Sequence, residues 1–166
     1  NAIVSEGYRL LKIDTLDNRS ISDKVVQQLQ RRIQDTRSQA VVFSDFRHGI
    51  FNRSTIPPLT SSIPAGAFRV ADSQVASRWG NILEFRDFDL ITPNEREARF
   101  ALAEQELPVR PLALELFTRA ACRTLMLKLG PRGLLTYRSI DNMLATRAFF
   151  VLDSFADRVV DAVGSG

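Results

Sequence analysis

Short apolar runs alternate with amphipathic stretches along this chain. Ala40–Phe43, Phe68–Ala71 and Thr124–Leu127 each have the length and branched or aromatic character of a buried strand, and Asp89–Ile91 is a shorter run of the same kind. Segments with helical spacing lie between them. Val25, Val26, Leu29 and Ile33 fall on one face of a helix expected to be capped at Ser22–Asp23 and to run to about Arg37. Pro57 and Pro58 suit the first turn of a short helix with Ser54 or Thr55 near its cap. Glu95–Glu104 reads as a helix whose acidic first turn complements the macrodipole, and Pro111 as the opening of another, from Leu112 to Arg123. Tyr8–Asp14 has strand character. Leu134–Tyr137 can pair back as a hairpin, and Arg147–Leu152 and Arg158–Val160 are late strand candidates. Buried strands alternating with helices predict an α/β fold with a mostly parallel sheet covered on both faces.

Composition narrows the class. The 166 residues are 45% hydrophobic and 25% charged, enough for one domain with a core. The net charge of +3 comes from scattered Arg, with no basic stripe interleaved with aromatics, so a nucleic-acid partner is not expected. No apolar run is long enough to cross a bilayer, and Asn1–Glu6 lacks the basic and apolar regions of a signal peptide. The single Cys122 sits at an apolar helical stretch and reads as a buried thiol, which with the missing signal points to a cytoplasmic protein.

In open α/β sheets, ligands bind beyond the carboxyl ends of the strands. Polar clusters fall at those ends: Ser44–Asp45, Asp72–Gln74, Thr92–Asn94, Lys128–Gly133 and Gly164–Gly166. Asn94 and Glu97 stand three apart across a strand end and a helix start. That spacing fits a capping box, and it also fits an amide and a carboxylate holding Mg²⁺ through water. Gly130–Gly133 reads as a tight turn or as a loop under a nucleotide, with Lys128 beside its phosphates. Gly164–Gly166 follows an apolar run and reads as a Gly-rich anion loop, because glycine lets backbone N–H groups approach a phosphoryl group closely. The chain stops there with no helix after it, which reads as a piece of something longer.

Taken together in this order, the motifs resemble the PfkB/ribokinase family of ATP-dependent sugar kinases. The resemblance rests on Ile91-Thr-Pro-Asn-Glu-Arg-Glu-Ala98, on Leu129-Gly-Pro-Arg-Gly133 and on Asp161-Ala-Val-Gly-Ser-Gly166, which is similar to the start of the family's Asp-Thr-Thr-Gly-Ala-Gly-Asp. Val42-Phe-Ser-Asp-Phe-Arg-His-Gly49 and Ala71-Asp-Ser-Gln74 resemble motifs of the branch that includes the heptose-phosphate kinases, with His48 and Gln74 where that branch has Lys. Leu10–Asp14 looks like the strand that precedes this region in the same branch.

The resemblance implies a three-layer ribokinase-like fold. Residues 1–166 would be the later half of the domain, truncated at both ends. It implies ATP and Mg²⁺ as cofactors and a sugar or sugar phosphate as substrate, with pairing of two copies expected. Gly164, Ser165 and Gly166 would form the anion hole, and Asp161 would fix that loop. Asn94 and Glu97 would position Mg²⁺; Lys128, Gly130 and Gly133 would line the nucleotide. Asp45, His48, Asp72 and Gln74 would lie near the phosphates or the sugar. The catalytic base would be the residue after Gly166, so the chain alone is expected to be inactive. The alternative is a non-catalytic nucleotide-binding or interaction module on the same fold. A dinucleotide-binding oxidoreductase is set aside, because no Gly-x-Gly-x-x-Gly follows an early strand.

Overall fold

The computed structural model describes residues 2–5, 8–12, 19–74, 82–138 and 149–155. In chain order the elements are β1 (Ala2–Ser5), β2 (Tyr8–Lys12), α1 (Asp23–Asp35), β3 (Ala40–Asp45), α2 (Ile56–Ser61), β4 (Phe68–Ser73), β5 (Leu90–Ile91), α3 (Glu95–Leu102), α4 (Val109–Ala120), β6 (Thr124–Lys128), β7 (Leu134–Arg138) and β8 (Phe149–Leu152). β1 and β2 form an antiparallel pair of their own. The other six strands make one sheet in the order β3-β4-β5-β6-β7-β8. Its first four strands are parallel, and β7 and β8 add on antiparallel. No helix among the described residues is long and apolar enough to cross a membrane.

The register sorts side chains onto two faces. Phe43, Ala71, Ile91 and Leu125 stand in one row across β3 to β6, and Leu127, Leu135 and Tyr137 share their face. All are buried, in a single core with Ile56 and Leu59 of α2, Ala98 and Ala101 of α3, and Leu112, Leu116 and Phe117 of α4. Aromatic contacts fill the centre: Phe85 and Phe88 meet at 90° with ring centroids 5.7 Å apart, and Phe43 lies 5.6 Å from Phe88. The opposite face is more open. Val42, Phe68, Phe150 and Leu152 are exposed there, and Val70, Leu90 and Met126 are half-buried. The expected α/β class with a mostly parallel sheet and flanking helices holds. β3, however, is buried on one side only, since Val42 and Ser44 belong to this more open face.

Several boundaries differ from the expectations for physical reasons. α4 starts at Val109 after Pro108, which places Pro111 at its third residue rather than its first. A proline is tolerated there because the N–H it lacks would have no partner inside the helix. α4 ends at Ala120 with Ala121 left-handed (φ 51°), so Cys122 sits in the turn after the helix. β1 was not anticipated. β8 covers the second part of the expected Arg147–Leu152 strand, while Arg158–Val160 lies outside the described residues.

Cys122 is buried as expected, and burial pushes its thiol pKa up to about 12. Only the thiolate reacts, so the native thiol should resist a thiol-reactive dye at mildly alkaline pH and react fully once urea unfolds the chain. Rapid labelling of the native protein would contradict this packing.

Candidate functional site

Because β3 to β6 run parallel, their carboxyl ends share one edge of the sheet. β7 begins at that edge, with Leu134 opposite Lys128. Asp72 on β4, Thr92 just past β5 and Lys128 at the end of β6 meet there on the more open face. Thr92 Oγ1 donates to Asp72 Oδ1 at 2.8 Å, and Lys128 Nζ reaches the same oxygen at 3.1 Å. The two side chains of the ion pair are 29% and 31% exposed, so solvent and ligands have access to them.

β5 is only two residues long, yet pairing continues past it. The Thr92 N–H donates to the Ala71 carbonyl at 3.1 Å, and the Lys128 N–H to the Pro93 carbonyl at 2.9 Å. This carries Asn94 alongside Lys128. Asn94 then caps α3. Its Oδ1 accepts from the Glu97 N–H at 2.8 Å, and Glu97 Oε2 accepts from the Asn94 N–H at 2.7 Å. The capping-box alternative is therefore realised. Glu97 is buried, and burial raises its pKa. The Asn94 N–H and the Lys128 charge oppose that rise, while the Asp72 charge adds to it, so the three charged groups lie within electrostatic reach of one another.

The turn between β6 and β7 closes through the Leu129 N–H to the Gly133 carbonyl at 2.8 Å. Arg132 in this turn pairs with Glu95 at the start of α3. Glu95 also takes a 2.7 Å bond from Arg99, and that bond, then the charges of Arg132 and Arg99, hold its carboxyl below the usual range against the effect of burial. Gly130 (φ 60°) and Gly133 (φ 80°) both use the left-handed region, but their surroundings differ. A Cβ at Gly130 would meet nothing within 4 Å, whereas one at Gly133 would lie 1.9 Å from the Leu152 carbonyl oxygen. Both replacements should carry the conformational cost of about 1 kcal/mol, to which Gly133→Ala adds about 1–3 kcal/mol by overpacking. Urea denaturation of the two variants checks the order.

Asp45, expected near the substrate, lies opposite Ser73 on the same core-facing side of β3 as Phe43 and is 3% exposed. Arg47 donates to it twice at 2.7 Å, from N–H to Oδ1 and from Nη1 to Oδ2, and Ser73 Oγ adds a 2.9 Å bond. Glu84 lies 3.6 Å from the same Arg47 Nη1. Arg47 itself has φ 62°. Asp45 thus organises the loop after β3 and presents no free oxygen to a ligand. Gln74 is half-buried, and its N–H donates to the Asp45 carbonyl at 3.0 Å. His48 is exposed, with its ring 6.2 Å from that of Phe46. Asp161, Gly164, Ser165 and Gly166 lie outside the described residues.

Thr92 and Arg132 lie in the strand-end clusters named above and Glu95 in the acidic first turn of α3, but none of the three was given a role at this edge. Thr92 had a signal, since it follows an apolar run and shares parity with Leu90 on the open face. The Arg132–Glu95 pair spans 37 positions and left no local trace.

No protein-family profile matches the sequence, and no curated protein matches it. Solved structures do. A ribokinase from Giardia lamblia superposes with a TM-score of 0.68 at 13% identity, over 96% of this chain and 48% of its own. The chain has the ribokinase-like fold. Phosphofructokinase-2 from Escherichia coli, in complex with fructose-6-phosphate, gives 0.61 at 15% identity over 88% of this chain and 46% of its own. A ribokinase from Arabidopsis thaliana, complexed with ribose and ATP, gives 0.60 at 15% over 89% and 43%. The ribokinase-like chain therefore spans a little under half the length of the structures it matches.

Proposed function

We propose that this chain is the nucleotide-side part of an ATP-dependent carbohydrate kinase. The observation that supports this most is the meeting of Asp72, Thr92, Asn94, Glu97 and Lys128 at the carboxyl edge of the parallel strands, on a fold whose matched structures are sugar kinases. In this reading the acceptor hydroxyl oxygen attacks the γ-phosphorus of ATP, and the bond from that phosphorus to the bridging oxygen breaks to release ADP. The hydroxyl proton passes to an acidic residue proposed to follow Gly166. Gly164, Ser165 and Gly166 would supply N–H groups to the transferring phosphoryl oxygens, with Asp161 fixing their loop.

Lys128 would hold a nucleotide phosphate as a point charge, and the turn Gly130–Gly133, fixed by Arg132 and Glu95, would carry the nucleotide. Among the described residues no three His, Cys, Asp or Glu side chains gather as a metal group. The donor set fits Mg²⁺ held through water, since Asn94 Oδ1 and Glu97 Oε2 are committed to the cap while Glu97 Oε1 and Asp72 Oδ2 remain. Bound there, Mg²⁺ would neutralise charge on the phosphates. His48 and Gln74 would face the acceptor side, and pairing of two copies belongs to the same proposal.

The test is transfer of the γ-phosphoryl group of ATP, with Mg²⁺, to a panel of sugars and sugar phosphates, using the protein that contains this chain together with the remainder of the fold. Transfer to a sugar hydroxyl is expected there, and none by residues 1–166 alone. ATP binding without transfer to any acceptor would favour a non-catalytic nucleotide-binding module.

A further inference from the structure

Two hydrogen-bond donors suited to a phosphate converge at the sheet edge, and both point at an internal carboxylate. Thr92 Oγ1 and Lys128 Nζ come from adjacent strand ends and share Asp72 Oδ1 at 2.8 and 3.1 Å. We infer that Asp72 occupies the position of a phosphate oxygen, so that an incoming polyphosphate must displace its carboxylate from Lys128 and Thr92 before it can bind. The inference rests on the nucleotide-site reading above and adds a device that weakens the site for anions.

The geometry supports exchange. The pair is about one-third exposed on both sides, so it is held weakly and can open without unfolding the edge. The terminal phosphate of a polyphosphate carries up to two negative charges against one on the carboxylate, and it too forms charge-assisted bonds with a lysine. The donors are also held in place independently of Asp72. The Thr92 N–H is fixed to the Ala71 carbonyl and the Lys128 N–H to the Pro93 carbonyl, so both backbones stay put when the carboxylate turns away. Asp72 cannot move far, because its backbone belongs to β4 between β3 and β5. Its negative charge therefore remains beside a polyphosphate bound without metal and opposes it.

Asp72→Asn tests this with little change of shape. The amide oxygen can still accept from Thr92, while the charge that competes for Lys128 is gone. Titration calorimetry with sodium tripolyphosphate at low salt, on the whole chain, reads the effect. Asp72→Asn is expected to bind about three- to tenfold more tightly than the unchanged chain, the size of one near charge in a partly screened site. Lys128→Met should bind more weakly than the unchanged chain. Asp35→Asn, an exposed carboxylate on α1, controls for net charge and should match the unchanged chain.

Equal or weaker binding by Asp72→Asn, with Lys128→Met still impaired, would overturn the inference and leave the nucleotide-site reading standing, since Asp72 would then be positioning Lys128. A gain by Asp35→Asn equal to that of Asp72→Asn would overturn it as a net-charge effect. Binding unaffected by Lys128→Met, or no binding by any variant, would remove the nucleotide-site reading and the inference with it. Thermal melts of all four proteins identify any loss that is only unfolding.

Discussion

Asp45→Ala is expected to destabilise the fold by about 3–5 kcal/mol, the cost of removing one member of a buried, hydrogen-bonded ion pair. The Arg47 side chain is 2% exposed and that of Asp45 1%. Removing the carboxylate takes two acceptor oxygens from the Arg47 N–H and guanidinium and one bond from Ser73, and Glu84 at 3.6 Å is the next carboxylate to Arg47 Nη1. A double replacement, Asp45→Asn with Arg47→Met, should recover part of the loss, because it removes the buried guanidinium together with the carboxylate, while Glu84 Oε2 gives up its 3.6 Å contact with Arg47 Nη1. Urea denaturation of the single and double variants gives both numbers. If Asp45 instead served as a ligand contact, Asp45→Ala would leave stability nearly unchanged and reduce activity alone.

Glu97→Gln should separate stability from function. Burial raises the Glu97 pKa, so the folded chain binds that proton more tightly than the unfolded one. A group with a raised folded pKa contributes fully below its unfolded value, about 4.3 for a glutamate, and that contribution is lost as pH rises through the folded value. At neutral pH the buried charge is therefore a cost. Gln keeps an oxygen that can accept from the Asn94 N–H, as capping boxes allow. The variant should melt at the same temperature or higher at neutral pH, with its advantage shrinking as pH falls toward the unfolded value. Under the proposed function it should also lose about 10- to 100-fold in Mg²⁺-dependent transfer, the range typical of disturbed metal sites. Lower stability at neutral pH would show that the carboxylate charge, rather than its acceptor geometry, holds the start of α3.

Much of the sheet was legible because each parallel strand is a short apolar run bounded by polar residues. The Asn94–Glu97 spacing was legible for a similar reason: a helix start places residues three apart in contact. The burial of Asp45 was missed because strand ends were read without strand parity. Asp45 and Phe43 are two apart and share the core face, whereas Asp72 and Lys128 fall on the other face. The role of Arg47 had no local signal. A left-handed arginine in a loop looks like surface chemistry until the fold closes over it. Pro111 misled in a simpler way, since the first and third residues of a helix accept proline for the same reason.

The difference between the two sheet faces also bears on how freely this sequence can change. Phe43, Leu125 and Leu127 answer to a fixed set of core neighbours, and truncating one should cost the few kcal/mol of a core cavity. Val42, at 61% exposure, and the half-buried Met126 are one position away along the same strands and are not bound by that core. Along β3 and β6, tolerance to substitution should rise and fall with every residue, so that the record of accepted changes would print the pleat of the strand.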